Sequence, residues 1–107
     1  MLSQEAIEDI ASRLIKAAHA PSKLILFGSY ARGEATEDSD LDIMLVEKEI
    51  PDHTAEYRNI RLAIGKAGIG VDLLLYDERD FEKHRQWCST PAYWASREGK
   101  LLYGSLD

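Results

Sequence analysis

Cysteine is nearly missing: Cys88 stands alone in 107 residues, so no internal disulfide can form and a reducing, cytoplasmic setting is expected. No apolar run comes near the ~20 residues that a membrane-spanning helix needs, so no membrane partner is expected. Basic residues are in deficit, with 13 Lys and Arg against 19 Asp and Glu and a net charge of −6. Broad nucleic-acid binding needs a basic footprint to displace counterions, and direct nucleic-acid binding is therefore not expected. An acidic face suits a metal ion or a basic partner instead. The opening Met1-Leu2-Ser3-Gln4-Glu5 lacks the basic start of a secretory signal. Repeats, low-complexity segments and linkers are missing too, and the length fits one domain, residues 1–107, rather than two. With 45% hydrophobic and 30% charged residues, the composition is that of an ordinary folded domain.

What is present centres on residues 24–46, LILFGSYARGEATEDSDLDIMLV. The apolar run Leu24-Ile25-Leu26-Phe27 has the length of a buried strand. It stops at Gly28-Ser29, which opens a short turn, Tyr30 to Gly33. A polar loop leads to Asp40-Leu41-Asp42-Ile43-Met44-Leu45-Val46, which reads as a second strand. Residues two apart on a strand share a face, so Asp40 and Asp42 project together while Leu41 and Ile43 project the other way. Two unpaired carboxylates side by side repel, and burying them is expensive. A divalent cation removes that cost, and Mg²⁺ is typically held by one or two carboxylates together with substrate phosphate oxygens. Gly28 and Ser29 supply the phosphate end, because glycine lets backbone approach an anion and an amide at a helix start can bond it.

The pair Gly28-Ser29, ten intervening residues, and Asp40-x-Asp42 resemble the signature of the polymerase-beta-like nucleotidyltransferases. The fuller string Gly28-Ser29-x-Ala31-Arg32-Gly33 with Ser39-Asp40-Leu41-Asp42 is similar to the minimal nucleotidyltransferase branch, of the antitoxin type. Either half alone would be a weak signal; their joint spacing is specific.

The remaining chain predicts a mixed α/β sheet of about four strands with helices packed against it. Ser3 to His19 has the spacing of an amphipathic helix, with Ser3 as cap, Glu5 early, and Ile7, Ile10, Ala11, Leu14, Ile15 and Ala18 as its stripe. Ala20-Pro21 ends it. Asp52 caps a second helix, residues 53–67, with Tyr57, Ile60, Ala63 and Ile64 as its apolar line. Val71 to Tyr76 reads as a third strand. Residues 77–87 read as a third helix with Phe81, His84 and Cys88 inward, Pro91 to Arg97 as a fourth, and Lys100 to Tyr103 as a last strand at the sheet edge.

Asp72 is an acid in an otherwise apolar strand, poor design for a core. It either pairs with an arginine or faces solvent at a strand end, or completes a three-carboxylate cluster with Asp40 and Asp42. The resemblance implies the cluster, since that family carries a third carboxylate on a following strand. Arg32 bonds phosphate or ties to Glu37 or Asp38; Ser29 bonds phosphate or caps the short helix; Ser39 reads as a turn residue. His84 and Cys88 are four apart, yet no third ligand is near, and core packing is the simpler reading. His19 and His53 lie beside helix termini and are expected to be solvated. Trp87, Tyr93 and Trp94 either fill the end of the core or form a partner-facing patch.

The resemblance implies transfer of a nucleoside monophosphate, with ATP as the usual donor of AMP, to a hydroxyl acceptor. It also implies two Mg²⁺ ions, or Mn²⁺, held by Asp40, Asp42 and Asp72, with Gly28, Ser29 and Arg32 on the nucleotide. A domain this small leaves little material for binding an acceptor, so the acceptor is expected in trans. In the resembled branch that acceptor is a tyrosine of a HEPN-domain toxin, which the nucleotidyltransferase neutralises as its antitoxin. The alternative is a non-catalytic nucleotide-binding antitoxin that inhibits by contact alone.

Overall fold

The Ser3 hydroxyl accepts a hydrogen bond from the Ala6 amide at 3.1 Å and starts the first helix, α1 (Gln4–Ala17). In the computed structural model, which describes residues 1–105, this helix buries Ile7, Ile10, Ala11 and Leu14, the stripe its spacing predicts. The chain then enters β1 (Pro21–Phe27). This strand starts three residues before the apolar run, because a proline is tolerated at a strand's first position and Pro21 pairs with Glu47 there. A short helix, α2 (Gly28–Arg32), leaves β1 directly, and β2 (Leu41–Glu47) follows the polar loop.

Asp52 caps α3 (His53–Ile64) by accepting from the Ala55 amide at 3.0 Å. The helix stops three residues short of the predicted end, where Arg13 Nη1 donates to the Ile64 carbonyl at 2.9 Å. β3 (Val71–Asp77) leads into α4 (Glu78–His84), capped by Asp77. The sequence predicted α4 to run to residue 87. Instead the Thr90 hydroxyl donates toward the His84 and Trp87 carbonyls, at 2.6 and 2.8 Å, and turns the chain into α5 (Pro91–Glu98). Cys88 therefore lies off the helix and is exposed, not inward as expected. β4 (Lys100–Tyr103) closes the sheet at the predicted edge.

The sheet order is β3-β2-β1-β4, with β1 antiparallel to β2 and β4 and β2 parallel to β3. Alternation along the strands divides the core into two layers. Leu24, Leu26, Leu41, Ile43, Leu45, Leu73 and Leu75 face α1 and α3. Ile25, Met44 and Val46 face Phe81 of α4 and Ala92 and Ala95 of α5. Asp42 shares the second face with Met44 and Val46, so the site lies on the α5 side of the sheet.

At the far end of β2, Glu47 is fully buried, one carboxyl oxygen accepting from the Ala20 amide at 2.8 Å. Its other oxygen, Oε2, is buried without a hydrogen-bond partner among the described residues. Burial first, then the neighbouring Glu56 carboxylate, pushes the Glu47 carboxyl up to about 7, against a smaller downward pull from the Ala20 amide. Because the folded value is raised, this group favours folding most below pH 4.5 and that contribution is lost as pH rises through about 7. Glu47→Gln is expected to stabilise the protein by about 2 kcal/mol at pH 8, allowing for residual solvent screening, and by only about a quarter of that at pH 5. Urea denaturation at the two pH values measures the difference.

Candidate active site

β1 ends and α2 begins at Gly28, where the backbone takes φ 73°, a conformation glycine accepts freely. A Cβ on Gly28 would fall 2.2 Å from Oδ2 of Asp42, so the carboxyl occupies the space that the missing side chain leaves. Asp42 in turn is in register with Asp72 on the parallel strand β3. Parallel pairing sets two carboxyls on neighbouring strands, on the same face. Asp40 sits one residue before β2, and its Oδ1 lies where a Cβ on Gly70 would be, at 2.4 Å. Glycines thus cradle Asp42 and Asp40, while Asp72 is exposed beside them.

The electrostatics follow from this crowding. Partial burial, a hydrogen bond shared with Asp72, and the charges of Asp72 and Asp40 push the Asp42 carboxyl up to about 6, against a smaller downward pull from Arg32. Three like charges held this way call for a cation. Among the described residues no three His, Cys, Asp or Glu side chains close into a metal cage. The donor set instead fits an ion such as Mg²⁺, which takes one or two carboxylates and completes its shell with phosphate and water oxygens.

Ser29 is in the second position of α2, and the cap position falls on Phe27, which makes no side-chain cap bond. The reading of Ser29 as that helix's cap is therefore corrected. Arg32 Nε pairs with Glu34 at 2.8 Å, not with Glu37 or Asp38, and that bond, ahead of the nearby Glu98 and Asp42 charges, raises its pKa. Ser39 is a turn residue, its hydroxyl accepting from the Thr36 amide at 2.9 Å. His84 is half-buried between the Tyr76 and Trp87 rings, each 5.5 Å away, and takes no part in the site. His53 and His19 are both exposed, as expected; the His53 ring lies 3.0 Å from the Leu75 carbonyl, and His19 pairs with Glu49 at 3.5 Å.

Two clefts flank Asp42. One, of about 510 Å³, lies toward β3 and is lined by Phe27, Asp42, Tyr57, Arg61, Asp72 and Pro91, among others. Arg61 is held there by donating to the Val71 carbonyl at 2.6 Å. The other, of about 520 Å³, lies between α2 and α5 and is lined by Phe27, Gly28, Arg32, Pro91, Trp94 and Glu98. Arg61, Phe27 and Glu98 were not singled out from the sequence; the stripe of 91, 94 and 98 on α5 would have pointed to Glu98, whereas Arg61 on α3 and Phe27 at the end of β1 carry no local signal of this kind.

The chain matches the nucleotidyltransferase domain family over residues 5–89. It is 36% identical over 81 residues to MJ0604 of Methanocaldococcus jannaschii, provisionally named a protein adenylyltransferase, a match covering 76% of this chain and 77% of that one. It is 43% identical over 54 residues to the protein adenylyltransferase MntA of Thermococcus cleftensis, covering 48% of this chain and 54% of that one. The fold is shared with a chain from a toxin–antitoxin crystal structure with AMP-PNP, at TM-score 0.67 and 23% identity over 97% of this chain and 75% of that one. It is shared also with a chain from the complex of a tri-AMPylated Shewanella oneidensis HEPN toxin with its MNT antitoxin, at TM-score 0.64 and 21% identity over 97% and 74%. Two acids at the start of β2, Asp42 cradled by Gly28 and Asp40 by Gly70, on this sheet and with these relatives, place the chain in the nucleotidyltransferase domain family as a nucleotidyltransferase of its minimal, MntA-like branch.

Proposed function

We propose that this chain transfers AMP from ATP to a tyrosine hydroxyl of a HEPN-domain toxin and so acts as its antitoxin. The observation that carries the reading is the side-by-side placement of Asp42 and Asp72 on parallel strands, with Gly28 closing over Asp42. Asp40, Asp42 and Asp72 would between them hold two Mg²⁺ ions, with one or two carboxylates to each, and the ions when bound would supply charge stabilisation at the α-phosphorus and acidify the attacking hydroxyl. Gly28 leaves room for backbone close to the phosphates, and the first amides of α2, uncapped by any side chain, face an anion favourably. Arg32, half-exposed at the C-terminal end of α2, adds a cation within range of the same corner.

Asp72 is the more exposed acid of the pair and stands on the side open to an acceptor. In the transfer, the acceptor oxygen bonds the α-phosphorus, the bond to the bridging oxygen of the β-phosphate breaks, and pyrophosphate leaves. The acceptor's proton goes to the Asp72 carboxylate. The names of MntA and of the AMPylated HEPN toxin complex support AMP as the transferred group and a HEPN protein as the acceptor.

The test mixes this chain with the protein encoded beside it, whatever its family, with ATP and Mg²⁺, and reads intact mass. The partner is expected to gain the mass of one adenylyl group for each hydroxyl modified, and to gain none with Asp42→Asn. A complex that forms without any added mass, and still inhibits the toxin, would establish the contact-only antitoxin instead.

A further inference from the structure

We infer that Trp94 is the platform on which the donor nucleotide's base stacks, a role that rests on the nucleotidyl-transfer reading above and deepens it. The α5 helix buries Ala92 and Ala95 against the sheet, small residues that let it lie close. Its other face carries Pro91, Trp94 and Glu98, at the spacing of one helical stripe. That stripe faces Gly28 and Arg32, a turn apart on α2, across a cleft of about 520 Å³ floored by Phe27. A volume of this size falls in the range of small-molecule sites. Gly28 belongs both to this cleft and to the corner that cradles Asp42, so the cleft is continuous with the phosphate end of the site.

The indole is fixed before any ligand arrives. Trp94 Nε1 donates to the Cys88 carbonyl at 2.9 Å, and the Tyr93 ring meets it edge-on with centroids 5.0 Å apart. Tyr93 itself is engaged by Arg97, whose guanidinium lies 4.3 Å from the ring centroid. Trp94 nonetheless remains 48% exposed. A rigid, hydrogen-bonded indole with an open surface has no core to fill, and a purine is the planar apolar group that a triphosphate brings next to Gly28. Stacking of this kind tolerates any base. Trp94 therefore contributes affinity for the nucleoside, and discrimination among bases is left to other groups.

The experiment uses Trp87→Phe, which leaves Trp94 as the single tryptophan of the full chain. ATP or tripolyphosphate is titrated in the presence of Mg²⁺, with tryptophan fluorescence as one readout and calorimetry as the other. ATP is expected to quench Trp94, and tripolyphosphate to bind without quenching. Trp94→Ala should weaken ATP about tenfold or more, leave tripolyphosphate binding unchanged, and be largely rescued by Trp94→Phe. ATP binding without quenching, and with undiminished affinity in Trp94→Ala, overturns the platform alone. Failure of both ATP and tripolyphosphate to bind overturns the nucleotidyl-transfer reading together with it.

Discussion

Asp42→Asn is expected to lower nucleotidyl transfer about a thousandfold or more while making the free protein more stable. The two effects share one cause. Asp42 is pressed against Gly28, shares a hydrogen bond with Asp72 and feels the charge of Asp40, and these together raise its carboxyl from 3.8 to about 6. A raised carboxyl binds its proton more tightly in the folded state than in the unfolded one. Its favourable contribution is whole below pH 3.8, declines as pH rises, and is gone above about 6. At pH 8 the folded protein carries the ionised group at a cost. That cost is about 1 kcal/mol once the solvent around this half-buried side chain is allowed for. Asparagine keeps the shape and removes the charge.

Thermal unfolding at pH 5 and pH 8 should show the variant ahead of the wild type, by a wider margin at pH 8. Added Mg²⁺ should narrow that margin at pH 8, because a cation offsets the same repulsion in the wild type and has less to offset in the variant. Asp72→Asn, which removes Asp42's nearest acidic neighbour, should raise stability at pH 8 as well. A variant that is inactive yet no more stable than the wild type at any pH would mean that Asp42 and Asp72 do not share one electrostatic site.

Much of this was legible before any coordinates. The stripe on α1, the cap at Asp52 and the edge position of β4 are local signals, each set by a few adjacent residues. Asp42 stands out through its spacing from Gly28-Ser29, and Asp72 as a carboxylate in an apolar strand, for which an arginine partner, a solvated strand end and a three-carboxylate cluster are all open readings. The parts that stayed hidden depend on residues far apart in the chain. Glu47 reads as a charge in the loop after the second strand, whereas it ends β2, buried beside Glu56 and the Ala20 amide. The end of α4 looked like three further helical residues, because nothing local says that the Thr90 hydroxyl will take the His84 carbonyl. Trp94 was conspicuous by composition, but its place opposite Gly28 is a product of how α5 crosses β1. By sequence Gly70, with Gly65 and Gly68, marks the end of the second helix, and its use in the fold is the room it leaves for Asp40.

Gly28→Ala should also damage activity, less than losing a carboxylate and for a different reason. The added methyl would stand 2.2 Å from Asp42 Oδ2, so the carboxyl has to swing away from its position beside Asp72. A displacement of about an ångström at a reacting site can cost about a hundredfold in rate, and that is the loss expected here. The left-handed backbone at φ 73° adds about 1 kcal/mol or more of strain, so stability should fall. Gly33 separates the two contributions. Its φ is 72°, nearly the same, yet a Cβ there meets nothing within 4 Å. Gly33→Ala should therefore lose the same strain energy and keep most of its activity. Gly70→Ala is the converse, since its methyl would stand 2.4 Å from Asp40 Oδ1. It should lower activity through Asp40 with no left-handed strain. Rates of adenylyl transfer and urea midpoints for the three alanine variants decide the matter. If Gly28→Ala and Gly33→Ala lose stability and activity in the same proportion, the glycine at the β1–α2 corner serves the backbone alone. If Gly28→Ala loses far more activity than Gly33→Ala at equal stability, it serves the position of the Asp42 carboxylate.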